Sequence, residues 1–346
     1  MITTLLLEEH ARHGAVSLRE FYRRRALRLL PALFVLLAVF LTVSALAVLI
    51  RGGSLDRAVF GVAAGIGYFS NVAMSAEPGT IAMPNELRHL WSLAIEEQFY
   101  LVWPLVLLIA LRARIRLALV VLLALVGLTV YQQIRLYSEG ASAERIGFGT
   151  DTHGTPILIG CALAVALATS ARPTVEAIAR AIAPLAGVGI AVLLVVVPGQ
   201  RFFSAWILAV GLCSAWLILR TLDGRSLVSR LLSVRPLVFL GRISYALYLW
   251  HIPFYVTFGV STSPELLDAP ALALSLACAI ASYYFVERPF LRKKRRARSQ
   301  LVDQIQRGSD SPPFDPGELL TAAPRRRASR ARRPRLRAAR RTSRQA

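Results

Sequence analysis

Runs of about 20 apolar residues recur along most of this chain, and they limit its possible folds more than any other feature. A helix needs about 20 such residues to cross the hydrocarbon of a bilayer, and a helix satisfies all its backbone hydrogen bonds within itself while it does so. Candidate crossings cover residues 27–50, 57–75, 91–111, 116–134, 154–170, 177–197, 202–220, 237–260 and 269–288. With 55% hydrophobic residues and a mean hydropathy of +0.53, a soluble globular domain is excluded. The expected fold is an all-α polytopic membrane protein.

Charge sets the expected orientation. Cytoplasmic loops collect Lys and Arg, and Arg12, Arg19, Arg23, Arg24, Arg25 and Arg28 crowd the N-terminal segment. Of the formal net charge of +21, residues 289–346 carry 18 Lys/Arg against 4 Asp/Glu, or +14. Both ends are therefore expected inside, which requires an even number of crossings. The weakest of the nine candidates is 57–75, which is glycine-rich and holds Tyr68, Ser70 and Asn71. Read as a re-entrant segment, it leaves eight crossings and roofs an outward-facing pocket. The chain then divides into a membrane domain, 1–291, and a disordered basic cytoplasmic tail, 292–346. Such a tail suits anionic membrane lipids. Nucleic acid is disfavoured as a partner, because no aromatic side chain is interleaved to stack bases. Only Lys293 and Lys294 among the 41 basic residues are lysines, a bias that suggests a bacterial origin and hence a bacterial plasma membrane.

Against this apolar background a few polar residues require a reason. Glu96 and Glu97 stand side by side in the crossing 91–111, where a carboxylate facing lipid costs a few kcal/mol. Adjacent helix positions differ by about 100°, so the two acids face different directions. Ser92, Glu96, Phe99 and Trp103 share one side; Leu93, Glu97, Tyr100 and Pro104 share another. One acid could be tied to an arginine, or it could orient a substrate hydroxyl at a pocket opening outward. Arg24, Arg25 and Arg28 form a guanidinium face at the cytoplasmic start of the first crossing, suited to phosphate or to topology alone. Ser244, Tyr248 and His251 fall at i, i+4 and i+7, and an ionisable side chain inside a bundle is a site candidate. Glu287 beside Arg288 reads as an interfacial ion pair or a direct participant. Asp151 and His153 open another crossing at its outer mouth. Cys161, Cys213 and Cys278 lie in apolar runs without metal-ligand spacing, and no metal is expected.

The stretches "FYRRRALRLLPAL", "HLWSLAIEEQFYLVWPL", "TDTHGTPILIGCALA", "ISYALYLWHIP" and "FVERPF" together resemble the acyltransferase-3 family of integral membrane acyltransferases. The resemblance covers residues 1–291 and implies a ten-helix bundle. It implies transfer of an acyl group, such as acetyl, from cytoplasmic acyl-CoA to a hydroxyl of an extracytoplasmic glycan, lipid-linked sugar or secondary metabolite. Arg25 and Arg28 match the family's Arg-x-x-Arg motif. Trp91, Ser92, Glu96, Glu97, Gln98 and Tyr100 match its signature stretch, and Glu287 falls in its closing motif. His153 stands where the family more often has an arginine. In the family two helices precede the "FYRRR" segment, the first bearing a histidine regarded as the catalytic base. This chain reads as lacking both, with His10 and His13 in a cytoplasmic loop as poor substitutes.

The expected site follows from these two readings. Glu96, Glu97 and His251 are the catalytic candidates. Arg25, Arg28, Trp91, Ser92, Tyr100, His153, Tyr248 and Glu287 are expected to bind substrate. The arginines would grip donor phosphates at the inner end of a dry channel, and the acids and aromatics would hold the acceptor at the outer end. A catalytically inactive homologue and a transporter are the competing readings.

Overall fold

The computed structural model describes residues 2–76, 83–113, 115–169, 172–182, 203–222, 226–258 and 269–292, with positions 186, 189, 192 and 224. All regular structure among these residues is helical: α1 (Ile2–His13), α2 (Leu18–Arg51), α3 (Asp56–Ile66), α4 (Ser70–Ser75), a 3-10 turn (Asn85–Leu87), α5 (Leu90–Ala113), α6 (Ile115–Ser138), α7 (Ala143–Phe148), α8 (Thr150–His153), α9 (Thr155–Leu167), α10 (Arg172–Ala181), α11 (Phe203–Leu222), α12 (Leu227–Leu232), α13 (Arg235–Thr257), α14 (Ala269–Ala281) and a π-helical segment (Ser282–Glu287). Among the described residues six helices are long and apolar enough to cross a membrane: Leu18–Arg51, Leu90–Arg112, Ile115–Ser138, Ala205–Leu222, Arg235–Thr257 and Ala269–Arg292. The chain is a multi-pass membrane protein.

The remaining expected crossings differ. Residues 154–170 form a 13-residue helix, about 20 Å long at 1.5 Å per residue and too short to cross alone. Most of 177–197 lies outside the described residues, as does the tail beyond residue 292. Residues 57–75 do not form one helix: α3 and α4 are separated by a turn at which Tyr68 takes a φ of 53°. The broken backbone expected there is present. α3 lies close against the turn that follows, because a Cβ on Gly61 would come within 2.6 Å of the Pro84 ring.

The segment of His10 and His13, expected as a loop, is helical. Ser17 caps α2 by accepting from the Glu20 amide, and α1 packs into the bundle ahead of it. Thr3 bonds both the Trp103 indole, at 3.0 Å, and the Cys161 sulfur, at 3.2 Å. His10 and His13 thus sit in the last turn of a packed helix, in place of the loop expected for them.

Two apolar cores organise the membrane domain. One joins α1, the start of α2, α5, α6 and α9 through Leu6, Phe21, Trp103, Leu107, Leu122 and Val165. The other joins α2, α3, α5 and α13 through Leu33, Leu37, Ala64, Leu90, Leu93 and Leu249. Both α2 and α5 run through the two cores. Between them the same two helices carry their charged residues, Arg24, Arg25 and Arg28 on one and Glu96 and Glu97 on the other. The apolar cores fix the register, and the register brings the charges to one level.

Candidate active site

α2 and α5 lie antiparallel at this level. The Tyr22 hydroxyl donates to the Leu101 carbonyl at 2.7 Å. One turn further along, Arg25 grips Glu97 with both prongs of its guanidinium, Nε reaching Oε2 at 3.1 Å and the second nitrogen reaching Oε1. The Tyr100 ring lies under that guanidinium, 3.6 Å from Arg25 Cζ to the ring centroid, a cation–π contact. Tyr22, Arg25, Leu29, Tyr68, Glu97 and Tyr100 line a cavity of 230 Å³.

This arrangement corrects the expectation that arginines and acids stand at opposite ends of a channel. Glu97 is seven residues from Leu90, about 10 Å into the span, and Arg112 lies about 22 Å further on. Arg25 shares that depth because α2 begins beside the middle of α5, not at its end. The other arginines are divided. Arg23 pairs with Glu20 at 3.1 Å and Arg24 with Glu9 of α1 at 3.1 Å. Arg28, one turn further along α2 than Arg25, is exposed and has no ion pair among the described residues.

Glu96, next to Glu97 on α5, makes no ion pair with Arg25 and remains exposed. A carboxylate at this depth cannot face hydrocarbon, so its open side belongs to the site. Four residues before Glu96 on α5, Ser92 belongs to a second cluster nearer the start of that helix.

In that cluster Ser92 Oγ and the Tyr248 hydroxyl are 3.1 Å apart, and Tyr248 donates to the His89 carbonyl. His251 Nδ1 lies 2.7 Å from the Tyr248 carbonyl. A carbonyl can only accept, so Nδ1 carries a proton, and in the neutral ring that leaves the lone pair on Nε2. The His89 ring stands edge to face against both Tyr248, at 5.2 Å, and His251, at 5.5 Å. Ser244, expected on the same stripe, is exposed and donates instead to Gly241 of its own helix.

Trp91 meets His153 at 4.6 Å with the rings perpendicular and Phe148 at 5.1 Å. Burial pushes His153 down to about 4. Asp151 forms a bidentate pair with Arg145, at 2.9 and 2.7 Å, and those bonds hold its carboxyl below the usual range. Gln98, Asn71 and Thr150 form a closed network: Gln98 Nε2 donates to Asn71 Oδ1 at 2.9 Å, Thr150 donates to Gln98 Oε1 at 2.8 Å, and Asn71 Nδ2 donates to Thr150 at 2.9 Å. This network ties α4 and the start of α8 to α5.

Glu287 is buried, 3% exposed, and its Oε1 has no hydrogen-bond partner among the described residues. Of the two readings for Glu287, the ion pair with Arg288 does not form among the described residues. Arg288 lies over the Tyr284 ring at 5.2 Å, since neighbouring helix positions point about 100° apart.

The structure therefore brings Arg25, Glu97 and Tyr100 into one cluster and Ser92, Tyr248 and His251 into another, with Glu96 between them. Arg28 and Glu287 border the first, and Trp91 and His153 form a separate aromatic contact. Sequence reasoning missed His89 and Asn71. Asn71 lies in the segment set apart for its polar residues, where nothing local tells which of them bonds α5. His89 gives no periodic signal, because it sits in a turn.

A family profile described as "Acyltransferase domain" matches residues 6–286. The chain is 32% identical over 325 residues to "Putative peptidoglycan O-acetyltransferase YrhL" of Bacillus subtilis, covering 87% of this chain and 50% of that protein. It is 29% identical over 320 residues to O-acetyltransferase OatA of Staphylococcus aureus, covering 86% and 51%. The chain thus spans about half the length of the curated relatives it matches. No solved structure matches it. With the profile covering most of its length, the chain belongs to the acyltransferase-3 family.

Proposed function

We propose that this chain is a membrane O-acyltransferase of the bacterial plasma membrane, with both of its ends cytoplasmic. It moves an acyl group, acetyl in the simplest case, from cytoplasmic acyl-CoA to a hydroxyl of an extracytoplasmic glycan, lipid-linked sugar or secondary metabolite. The observation that carries this reading is the polar layer between the two apolar cores. Cations suited to phosphate and two carboxylates meet there, and a histidine held at Nδ1 by a carbonyl stands in the adjoining cluster. The peptidoglycan named for the Bacillus subtilis relative favours a glycan acceptor.

Arg28, exposed and without an ion pair among the described residues, offers the first contact for the donor's phosphates, and Arg25 joins it when Glu97 gives way. Glu96 and Tyr248 orient the acceptor. His251 Nε2 takes the hydroxyl proton as the acceptor oxygen bonds to the thioester carbonyl carbon. The C–S bond breaks, and the proton passes on to the departing thiolate, leaving free CoA and an ester.

The test is release of CoA thiol from acetyl-CoA by membranes bearing the full chain. Glu96→Gln and His251→Gln should each lower it at least about a hundredfold, with the detergent-extracted proteins still monodisperse. Undiminished release in both variants would reject the reading.

A further inference from the structure

The acid–base reading leaves His89 without a role, yet the structure gives it an unusual place. It sits in the turn between the 3-10 segment and α5, only 8% exposed. Its carbonyl is an anchor, accepting from the Ser92 amide at 3.3 Å and from the Tyr248 hydroxyl. Its ring nitrogens make no hydrogen bond of good geometry, and the Glu86 and Leu249 carbonyls approach them only loosely. Burial, and next the neighbouring His251, push it down to about 3, so the ring is neutral at any working pH. A buried imidazole whose nitrogens are used this poorly costs stability, and its hydrogen bonds do not account for its presence.

Its ring contacts do account for it. His251 is held at Nδ1 by a carbonyl of its own helix, a single bond about which the ring can still tilt. Among the described residues, the rings stacked against His251 are Tyr248, tilted at 6.0 Å, and His89, edge to face at 5.5 Å. Tyr248 is itself pinned through the His89 carbonyl, so one residue braces both partners.

We propose that His89 is a positioning residue, whose ring holds His251 in the orientation in which Nδ1 stays on the Tyr248 carbonyl and Nε2 is presented to the acceptor hydroxyl. The inference rests on the acid–base role assigned above to His251. Because the His89 ring is uncharged, it braces His251 without opposing the positive charge that His251 acquires on taking the proton. A 1 Å misplacement of such a group costs about a hundredfold in rate.

The test uses the full chain in lipid bilayers, with ¹⁵N-labelled histidine and solid-state NMR, which distinguishes protonated from lone-pair ring nitrogens. In the wild type His251 should show a single tautomer, protonated at Nδ1. His89→Ala should give a mixture of tautomers and lower kcat for acetyl-CoA turnover about a hundredfold, with KM within about twofold. His89→Phe, which restores a ring, should recover the single tautomer and most of kcat. His89→Leu fills the space without a ring and replaces the Ala variant if that one does not fold. A single tautomer persisting in both the Ala and Leu variants overturns the proposal. The expected tautomer pattern in a chain that turns over no acetyl-CoA would uphold the positioning and reject the acyl-transfer reading instead.

Discussion

Arg25 and Glu97, on different helices and 72 positions apart, form a two-pronged ion pair inside the membrane domain, with Tyr100 under the guanidinium. Their side chains are only 16% and 13% exposed. Removing one partner from such a pair leaves an uncompensated buried charge and costs about 3–5 kcal/mol. Arg25→Ala and Glu97→Ala should each lower the melting temperature in detergent strongly, and Arg25→Met with Glu97→Leu should recover most of the loss. A double variant no better than the singles would show that the pair is not the source of the effect.

The same pair occupies the fork that a phosphate would use. Glu97→Gln removes a competing anion while keeping a hydrogen-bonding shape, so it should tighten binding of CoA by about tenfold, whereas Arg28→Gln should weaken it by a similar factor. Isothermal titration with CoA in detergent reads both. Weaker binding by the Glu97→Gln variant would mean that Glu97 contributes to the phosphate site and does not compete for it.

Asn71 stands at the centre of the network with Gln98 and Thr150, and also donates to the Phe148 carbonyl at 3.2 Å. Asn71→Ala leaves several of these groups short of a partner and should cost about 2 kcal/mol. Thermal unfolding measures it, and a neutral result would mean that water replaces the lost bonds.

At the rim near Trp91, two groups respond to acid in different windows. His153 titrates near 4 in the folded chain and near about 6.5 when unfolded. Between these values the unfolded chain binds the extra proton, so stability falls as the pH drops from about 6.5 toward 4. Asp151 is depressed by Arg145, so its contribution persists above about pH 4 and is lost only below. His153→Gln should therefore lose less melting temperature between pH 7 and pH 5 than the wild type. Arg145→Gln should flatten the decline below about pH 4. Parallel curves for wild type and His153→Gln would contradict the first assignment.

Much of the candidate site could be read in the sequence because intramembrane charge is rare. Glu96, Glu97, Arg25, Arg28 and His251 stand out from apolar runs in which lipid tolerates no idle ion, and the helical period separates the Glu96 face from the Glu97 face. Depth was not readable in the same way. Arg25 lies near the start of its helix, which suggests a membrane surface, but its level is set by what α2 packs against. His89, in a turn, carries no periodic signature.

The sequence by itself determined that the chain is helical, membrane-spanning and interrupted within residues 57–75, because hydropathy and backbone hydrogen bonding in lipid are local requirements that each segment must meet alone. Only the tertiary structure decided that Arg25 meets Glu97, that Glu96 stays open and that His89 braces His251. Those outcomes depend on the register at which two separate apolar cores lock α2, α5 and α13 together, and register is a property of packed pairs of helices, which no single segment encodes.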